Sequence, residues 1–310
     1  MTPVTPPPMF GVFHISFVLL GTVFAVLLAK RASRLPFPAR IRLFCCIGWG
    51  MALSEAAKQL FYYHVVNGRC FDWWLFPFQL CSVPMYLCIL LPLLSTESEN
   101  LPPCGRGGRF PAVLRRKAQT SVCTFLATYS LFGAAMALIW PEDMLRPWPL
   151  MTLHGFLWHL VLVFLSLTVI FSSVPRAGSR PAAGSDSSSD FHAGAGSAST
   201  ADFLSGEGSC SSADFRPMAD FSRRGFFRAT LLFWGLAAIA TIINIWGWHH
   251  PSLPGSYPDM FYITPYVMTT QPVVRTVAEH IGIIPANMLY LLSISFFSGL
   301  ICLAVRRVLR

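Results

Sequence analysis

A cysteine, two histidines and an ion pair are the side chains of this chain best equipped for chemistry. Cys81 sits in Phe76-Pro77-Phe78-Gln79-Leu80-Cys81-Ser82-Val83-Pro84, and His159 ends His154-Gly155-Phe156-Leu157-Trp158-His159. A histidine can take the proton of a thiol, and the resulting thiolate can attack an acyl carbonyl. Gln79 or Asn244 could then donate to the developing oxyanion. Glu55 and Lys58 are three residues apart, so they share a helix face and can neutralise each other. Each residue also has a structural reading: the cysteine as a small apolar filler, the histidine bonded to a neighbouring helix, the ion pair as a device that fixes packing. Residue type and spacing leave both readings open. His154 and His159 are five apart, roughly 140° around a helix, which is a poor metal site. Nine cysteines with no CxxC pair form no disulfide framework. No metal or other cofactor is expected.

The elements that must position these residues are membrane helices. Of 310 residues 54% are hydrophobic and 12% charged, against about 25% charged in a soluble domain. Mean hydropathy is +0.55. Seven apolar stretches, at 9–29, 41–64, 74–95, 118–140, 149–173, 226–248 and 283–305, are each long enough to cross a bilayer, for which about 20 residues suffice. The expected fold is an all-α polytopic bundle of about seven transmembrane helices, multi-pass and integral. It lies in the cell membrane if the source is bacterial and in an endomembrane if it is eukaryotic. At a rise of about 1.5 Å per residue, Lys58 and Glu55 lie roughly 9 and 13 Å from one face, Cys81 roughly 10 Å, His159 roughly 15 Å, His154 and Asn244 roughly 6 to 8 Å. Polar groups at such depth are costly and mark a functional cavity. Pro77 and Pro84 bracket the cysteine, so a kink of this helix is expected to open a hollow beside the thiol.

Charge sets the orientation. Lys30, Arg31, Arg34, Arg40 and Arg42 crowd one loop, Arg106, Arg109, Arg115, Arg116 and Lys117 another, Arg223, Arg224 and Arg228 precede the sixth stretch, and Arg306, Arg307 and Arg310 follow the seventh. The alternate loops hold Arg69, Arg146 and Arg275. The positive-inside rule then places the N-terminus extracytosolic and the C-terminus cytosolic. Trp73, Trp74, Trp140, Trp148, Trp246 and Trp248 fall at the outer ends, as an interfacial belt does. The net charge of +9 serves topology, and no nucleic-acid partner is expected.

One membrane domain in three parts results: 1–173 with five helices, 174–225, and 226–310 with two more. Segment 174–225 is rich in Ser, Gly and Ala and lacks periodicity, so a disordered cytosolic loop is expected. An Asp-Phe pair recurs in it at Asp190-Phe191, Asp202-Phe203, Asp214-Phe215 and Asp220-Phe221. It is either a plain spacer or a docking or phosphorylation segment. The outer loop 249–282 is long enough to form a partial lid over the mouth.

Gln79-Leu80-Cys81-Ser82, the run from Gly133 to Pro141, His159 within its stretch and Asn244 near the end of another carry a resemblance. Together they resemble the YwaF-like bacterial membrane proteins and their eukaryotic relatives, the transmembrane protein 164 family, over roughly 41–173 and 226–305. The eukaryotic pattern has Asn-Pro-Cys-His where this chain has Gln79-Leu80-Cys81-Ser82, and the histidine that bacterial relatives carry near Gln79 is absent. The resemblance implies a cysteine-dependent acyltransferase that moves an acyl chain between phospholipids to make ether phosphatidylethanolamine. It implies Cys81 as the nucleophile, His159 as its base, and phospholipid and lysophospholipid as partners. Glu55, Lys58, Gln79, Ser82, His154 and Asn244 complete the candidate binding set.

Two other classes stay open. A small-molecule transporter or permease suits a polar midplane and proline-interrupted helices, although no inverted repeat relates the halves. A non-catalytic membrane protein is the other. A seven-helix receptor is disfavoured: no lysine stands in the last stretch for a retinal, and no Asp-Arg-Tyr ends the third.

Overall fold

In the computed structural model, residues 3–95, 111–174 and 217–309 are described. They form helices joined by irregular chain, with no strand among them. The α-helices are α1 Val12–Ala32, α2 Phe37–Phe61, α3 Val83–Leu94, α4 Ala112–Phe125, α5 Leu131–Ile139, α6 Pro149–Ser172, α7 Arg223–Trp248, α8 Pro272–Ile281 and α9 Ile283–Val308. A π-helical turn, Leu126–Ser130, joins α4 to α5 into one rod over Ala112–Ile139. Its Leu126 carbonyl accepts a hydrogen bond from Ser166 Oγ at 2.7 Å, which satisfies backbone that the wider turn exposes.

Among the described residues five helices are long and apolar enough to cross a membrane: α1, the α4–α5 rod, α6, α7 and α9. Their outer surfaces carry apolar side chains with no protein cover, such as Leu19 at 62% and Leu20 at 71% exposure. Lipid is the solvent that suits such a surface. The other two expected crossings differ. Helix α2 has 25 residues but carries Arg40, Arg42, Glu55 and Lys58. Helix α3 has only 12 residues, because the first half of the expected 74–95 helix is not α-helical. A 3-10 turn occupies Trp73–Leu75, and Pro77 lies in irregular chain. Helix α2 meets α3 closely where Gly48 faces Cys88 and Ile89; a Cβ there would stand 3.0 Å from the Ile89 nitrogen.

The helices run up and down. The N-terminal segment joins the α5–α6 corner through Val4 N–H to Pro147 O at 2.8 Å and His14 Nε2–H to Leu138 O at 2.8 Å. At the same end Phe61 meets Trp148, Trp73 meets Trp246 and Trp248 stacks on Tyr266. The expected tryptophan belt is therefore gathered at one end. The opposite end holds the start of α7 and the close of α9, joined through Phe221 O and Cys302 Sγ.

Segment 174–225 is ordered where it is described. From Pro217 to Ser222 the chain packs on the bundle, and α7 starts at Arg223 because the Ser222 hydroxyl accepts Gly225 N–H at 3.1 Å. The first three Asp-Phe pairs, Arg106 and Arg109 lie outside the described residues. Segment 249–282 is built into the bundle at its middle. It contains α8, and Pro258 to Phe261 are buried in the bundle.

Candidate functional site

Cys81 lies in a turn, not in a kinked helix. Ser82 N–H donates to Gln79 O at 2.8 Å and Val83 N–H to the same oxygen at 3.2 Å. Helix α3 begins directly afterwards, with Pro84 in its first turn, where a missing N–H costs nothing. Depth counted at 1.5 Å per residue therefore does not apply to Cys81. The turn is fixed from α6: Trp158 Nε1–H donates to Cys81 O at 2.9 Å. Ser82, next in the chain, is buried.

Helix α2 supplies the charges. Lys58 Nζ and Glu55 Oε1 form an ion pair at 2.8 Å. Gln59 Nε2 donates to the same oxygen at 2.8 Å and also to Leu75 O, which ties the pair to the chain leading to Cys81. Glu55 is thus buried with two donors on one oxygen, the condition under which a buried carboxylate is tolerated. Both charges lie within electrostatic reach of the Cys81 sulfur. Lys58 also reaches His154 and His159.

His159 is buried. Its Nδ1 lies 2.7 Å from Gly155 O. A carbonyl only accepts, so Nδ1 carries the proton and the neutral ring leaves Nε2 with a lone pair. Among the described residues no hydrogen bond joins this ring to the Cys81 sulfur. His154 leans on Trp158, with ring centroids 5.5 Å apart, and its Nε2 is buried without a partner. No group of three His, Cys, Asp or Glu among the described residues could hold a metal ion. A cavity of about 300 Å³ lies away from Cys81, lined by Phe37, Arg116, Gln119 and Pro217 among others.

Gln79 and Asn244 hold a loop. Gln79 Nε2–H donates to Asp259 O at 2.9 Å, and Phe261 N–H donates to Gln79 Oε1 at 2.8 Å. Asn244 Nδ2–H donates to Met260 O at 3.1 Å, and Met260 N–H donates to Asn244 Oδ1 at 2.7 Å. Asn287 Nδ2–H adds a bond to Thr264 O at 3.1 Å. Three amides from separate segments thus add bonds to buried backbone that the short 3-10 turn at Met260–Tyr262 pairs only in part. Phe261 and Tyr262 both have positive φ, 61° and 58°, a conformation that persists only where the surroundings impose it. Tyr262 Oη–H donates to Asp143 Oδ2 at 2.6 Å. Tyr262 and Tyr290 both lie within electrostatic reach of Cys81. Gln59, Asp143, Asp259, Tyr262, Asn287 and Tyr290 are not among the candidate site residues that the sequence offers. Gln59, Asn287 and Tyr290 are polar residues within apolar stretches and Asp143 stands just beyond one, whereas Asp259 and Tyr262 lie well inside segment 249–282; only the fold assembles them.

Asp259 gives a pH-dependent property. Burial pushes its carboxyl up to about 7, Thr264 N–H draws it partly back, and Asp143 adds to the rise. The folded chain binds this proton more tightly than the unfolded chain, whose carboxyl titrates near 3.8. The contribution to stability is complete below that value and is lost as pH rises through about 7. The melting temperature in detergent is expected to fall between about pH 5 and about pH 8. Asp259→Asn, which keeps an acceptor for Thr264, should flatten that fall. A profile unchanged by the substitution would exclude Asp259 as its source.

Long apolar helices around paired buried charges define an integral multi-pass membrane protein. The TMEM164 family model matches residues 9–180, more than half of the chain, and the chain belongs to the TMEM164 family. That match includes Cys81 and His159 and ends before α7, α8 and α9. No curated protein and no solved structure matches the chain.

Proposed function

We propose that this protein is a membrane phospholipid acyltransferase with Cys81 as nucleophile and His159 as its base. The observation that carries the reading is the Trp158–Cys81 hydrogen bond. It docks the residue next to His159 onto the backbone of the cysteine, and unliganded catalytic contacts are commonly looser than those of the substrate complex. The His159 tautomer fits the role, because Nε2 is the atom with a lone pair to take the thiol proton. The thiolate attacks the ester carbonyl of a phospholipid. A C–S bond forms, the ester C–O bond breaks, and the departing lysophospholipid oxygen takes the proton from His159. The hydroxyl of a second lysophospholipid then attacks the thioester and restores the thiol. Lys58, with Glu55 and Gln59 behind it, supplies positive charge near the sulfur while it is a thiolate. Ser82 and His154 complete the substrate contacts. Gln79 and Asn244 serve this site by fixing the loop at Asp259–Phe261. We further infer seven crossings, with α2 and α3 completing the five apolar helices, and a cytosolic C-terminus under the positive-inside rule.

Incubation with a phospholipid bearing a radiolabelled acyl chain should label the protein. Hydroxylamine should release the label, and Cys81→Ala should carry none. His159→Ala should reduce the rate of labelling by 10²-fold or more, the size of a general-base contribution. Acyl transfer that survives in Cys81→Ala rejects the assignment.

A further inference from the structure

The residues just before α7 fit the bundle side chain by side chain. Met218, Ala219 and Phe221 are buried, Phe221 at 6% exposure. Asp220 N–H donates to Thr124 Oγ1 at 3.1 Å, and Asp220 O lies 3.2 Å from the same hydroxyl. The Asp220 carboxylate takes Arg228 Nη2–H on Oδ2 at 2.6 Å and Ser222 N–H on Oδ1 at 3.0 Å. Phe221 O lies 3.7 Å from Cys302 Sγ, which donates to it. Helices α4, α7 and α9 thus form a slot that recognises a small residue, a carboxylate and an aromatic ring in that order. The same tripeptide occurs twice more in this chain, as Ala201-Asp202-Phe203 and Ala213-Asp214-Phe215, and Ser189-Asp190-Phe191 differs only at its first residue.

We propose that this slot is a recognition site for Ala-Asp-Phe, and that the upstream copies exchange with Ala219-Asp220-Phe221 for it. Exchange changes how much of the insertion is held against the bundle and how much is free to reach a partner. The chemistry supports it, because every contact of Ala219, Asp220 and Phe221 above is made to a residue type or a backbone group that the copies share; buried Met218, where the copies have Ser188, Thr200 and Ser212, favours the resident. The tether supports it too: a binding segment on a short linker is present at millimolar effective concentration. The resident copy has the advantage, since it loops out no residues. Ala213-Asp214-Phe215 would loop out residues 216–221 and Ala201-Asp202-Phe203 would loop out 204–221. The threefold longer loop weakens the second of these by about fivefold relative to the first. This inference does not depend on the enzymatic reading.

The test uses the full chain in detergent micelles and the alkylation rate of Cys302, a buried thiol beside Phe221, followed by mass spectrometry of its peptide. Phe221→Ala is expected to raise that rate by less than about fivefold, because an upstream copy takes the slot. Adding Phe191→Ala, Phe203→Ala and Phe215→Ala is expected to raise it a further tenfold or more. The proposal is overturned if the three upstream changes leave the rate of the Phe221→Ala protein unaltered, whether that rate is high or low. Should the alanine variants not fold, Phe221→Leu with and without the same upstream changes gives the same comparison, read the same way.

Discussion

Asn244→Leu is expected to lower stability by about 1–3 kcal/mol, because the buried Met260 N–H loses its partner, whereas Met260 O keeps a long bond from Ile263 N–H at 3.4 Å. Asn244 is fully buried, and its amide meets both the N–H and the C=O of Met260. Met260 is also fully buried, and water has no easy path to replace the lost bonds. Leucine keeps the branched skeleton of asparagine, but its methyl groups are bulkier than the amide, so some overpacking adds to the lost hydrogen bond. Asn244→Asp separates the two bonds. It keeps an acceptor for Met260 N–H but has no donor for Met260 O, and it places a carboxyl where no cation pairs with it. Its loss should therefore be at least as large when the carboxyl is ionised and should shrink on acidification. Denaturant titration in detergent measures both. A leucine variant as stable as the parent would show that the loop does not depend on this clamp.

Gly225→Ala should detach the chain before α7 and cost about 3–6 kcal/mol, the loss of two buried apolar side chains at about 1.5–3 kcal/mol each. A Cβ on Gly225 would stand 1.9 Å from Asp220 O and 2.7 Å from Asp220 C. These are backbone atoms, held by Thr124 and Arg228, so no side-chain rotation makes room. Met218 and Phe221 would leave their places in the core. Helix propensity works the other way, since alanine is favoured over glycine inside a helix by roughly 1 kcal/mol. Gly235→Ala is the control, because a Cβ there meets nothing within 4 Å. Limited proteolysis should cut Gly225→Ala between Pro217 and Ser222 and leave Gly235→Ala intact. Equal resistance in both would refute the close fit.

The sequence reveals the long helices because lipid demands an unbroken apolar run, and hydropathy records that demand directly. It also singles out Glu55, Lys58, Cys81, His154 and His159, since a polar residue in such a run needs a reason. It misplaces Cys81 because hydropathy cannot separate an apolar helix from the apolar irregular chain between Trp73 and Ser82. It offers Gln79 or Asn244 as an oxyanion donor, and residue type does not reveal that both amides meet the backbone of the loop at Asp259–Phe261. The loop from Pro258 to Thr264 reads as polar and external, yet it is buried, because Gln79, Asn244 and Asn287 supply from distant positions the bonds that water would otherwise provide. Gly225 is unremarkable in sequence, and only the position of Asp220 makes it indispensable.

The wide turn at Leu126–Ser130 also constrains how this rod can change over evolutionary time. One extra residue in a turn advances every later side chain by about 100° in phase. The Leu138 carbonyl that receives His14 therefore depends on the number of residues between Thr124 and Leu138 as much as on their identities. A single-residue deletion there would preserve hydropathy and length of crossing while swinging α5 away from its neighbours, so this rod should tolerate substitutions far more readily than indels.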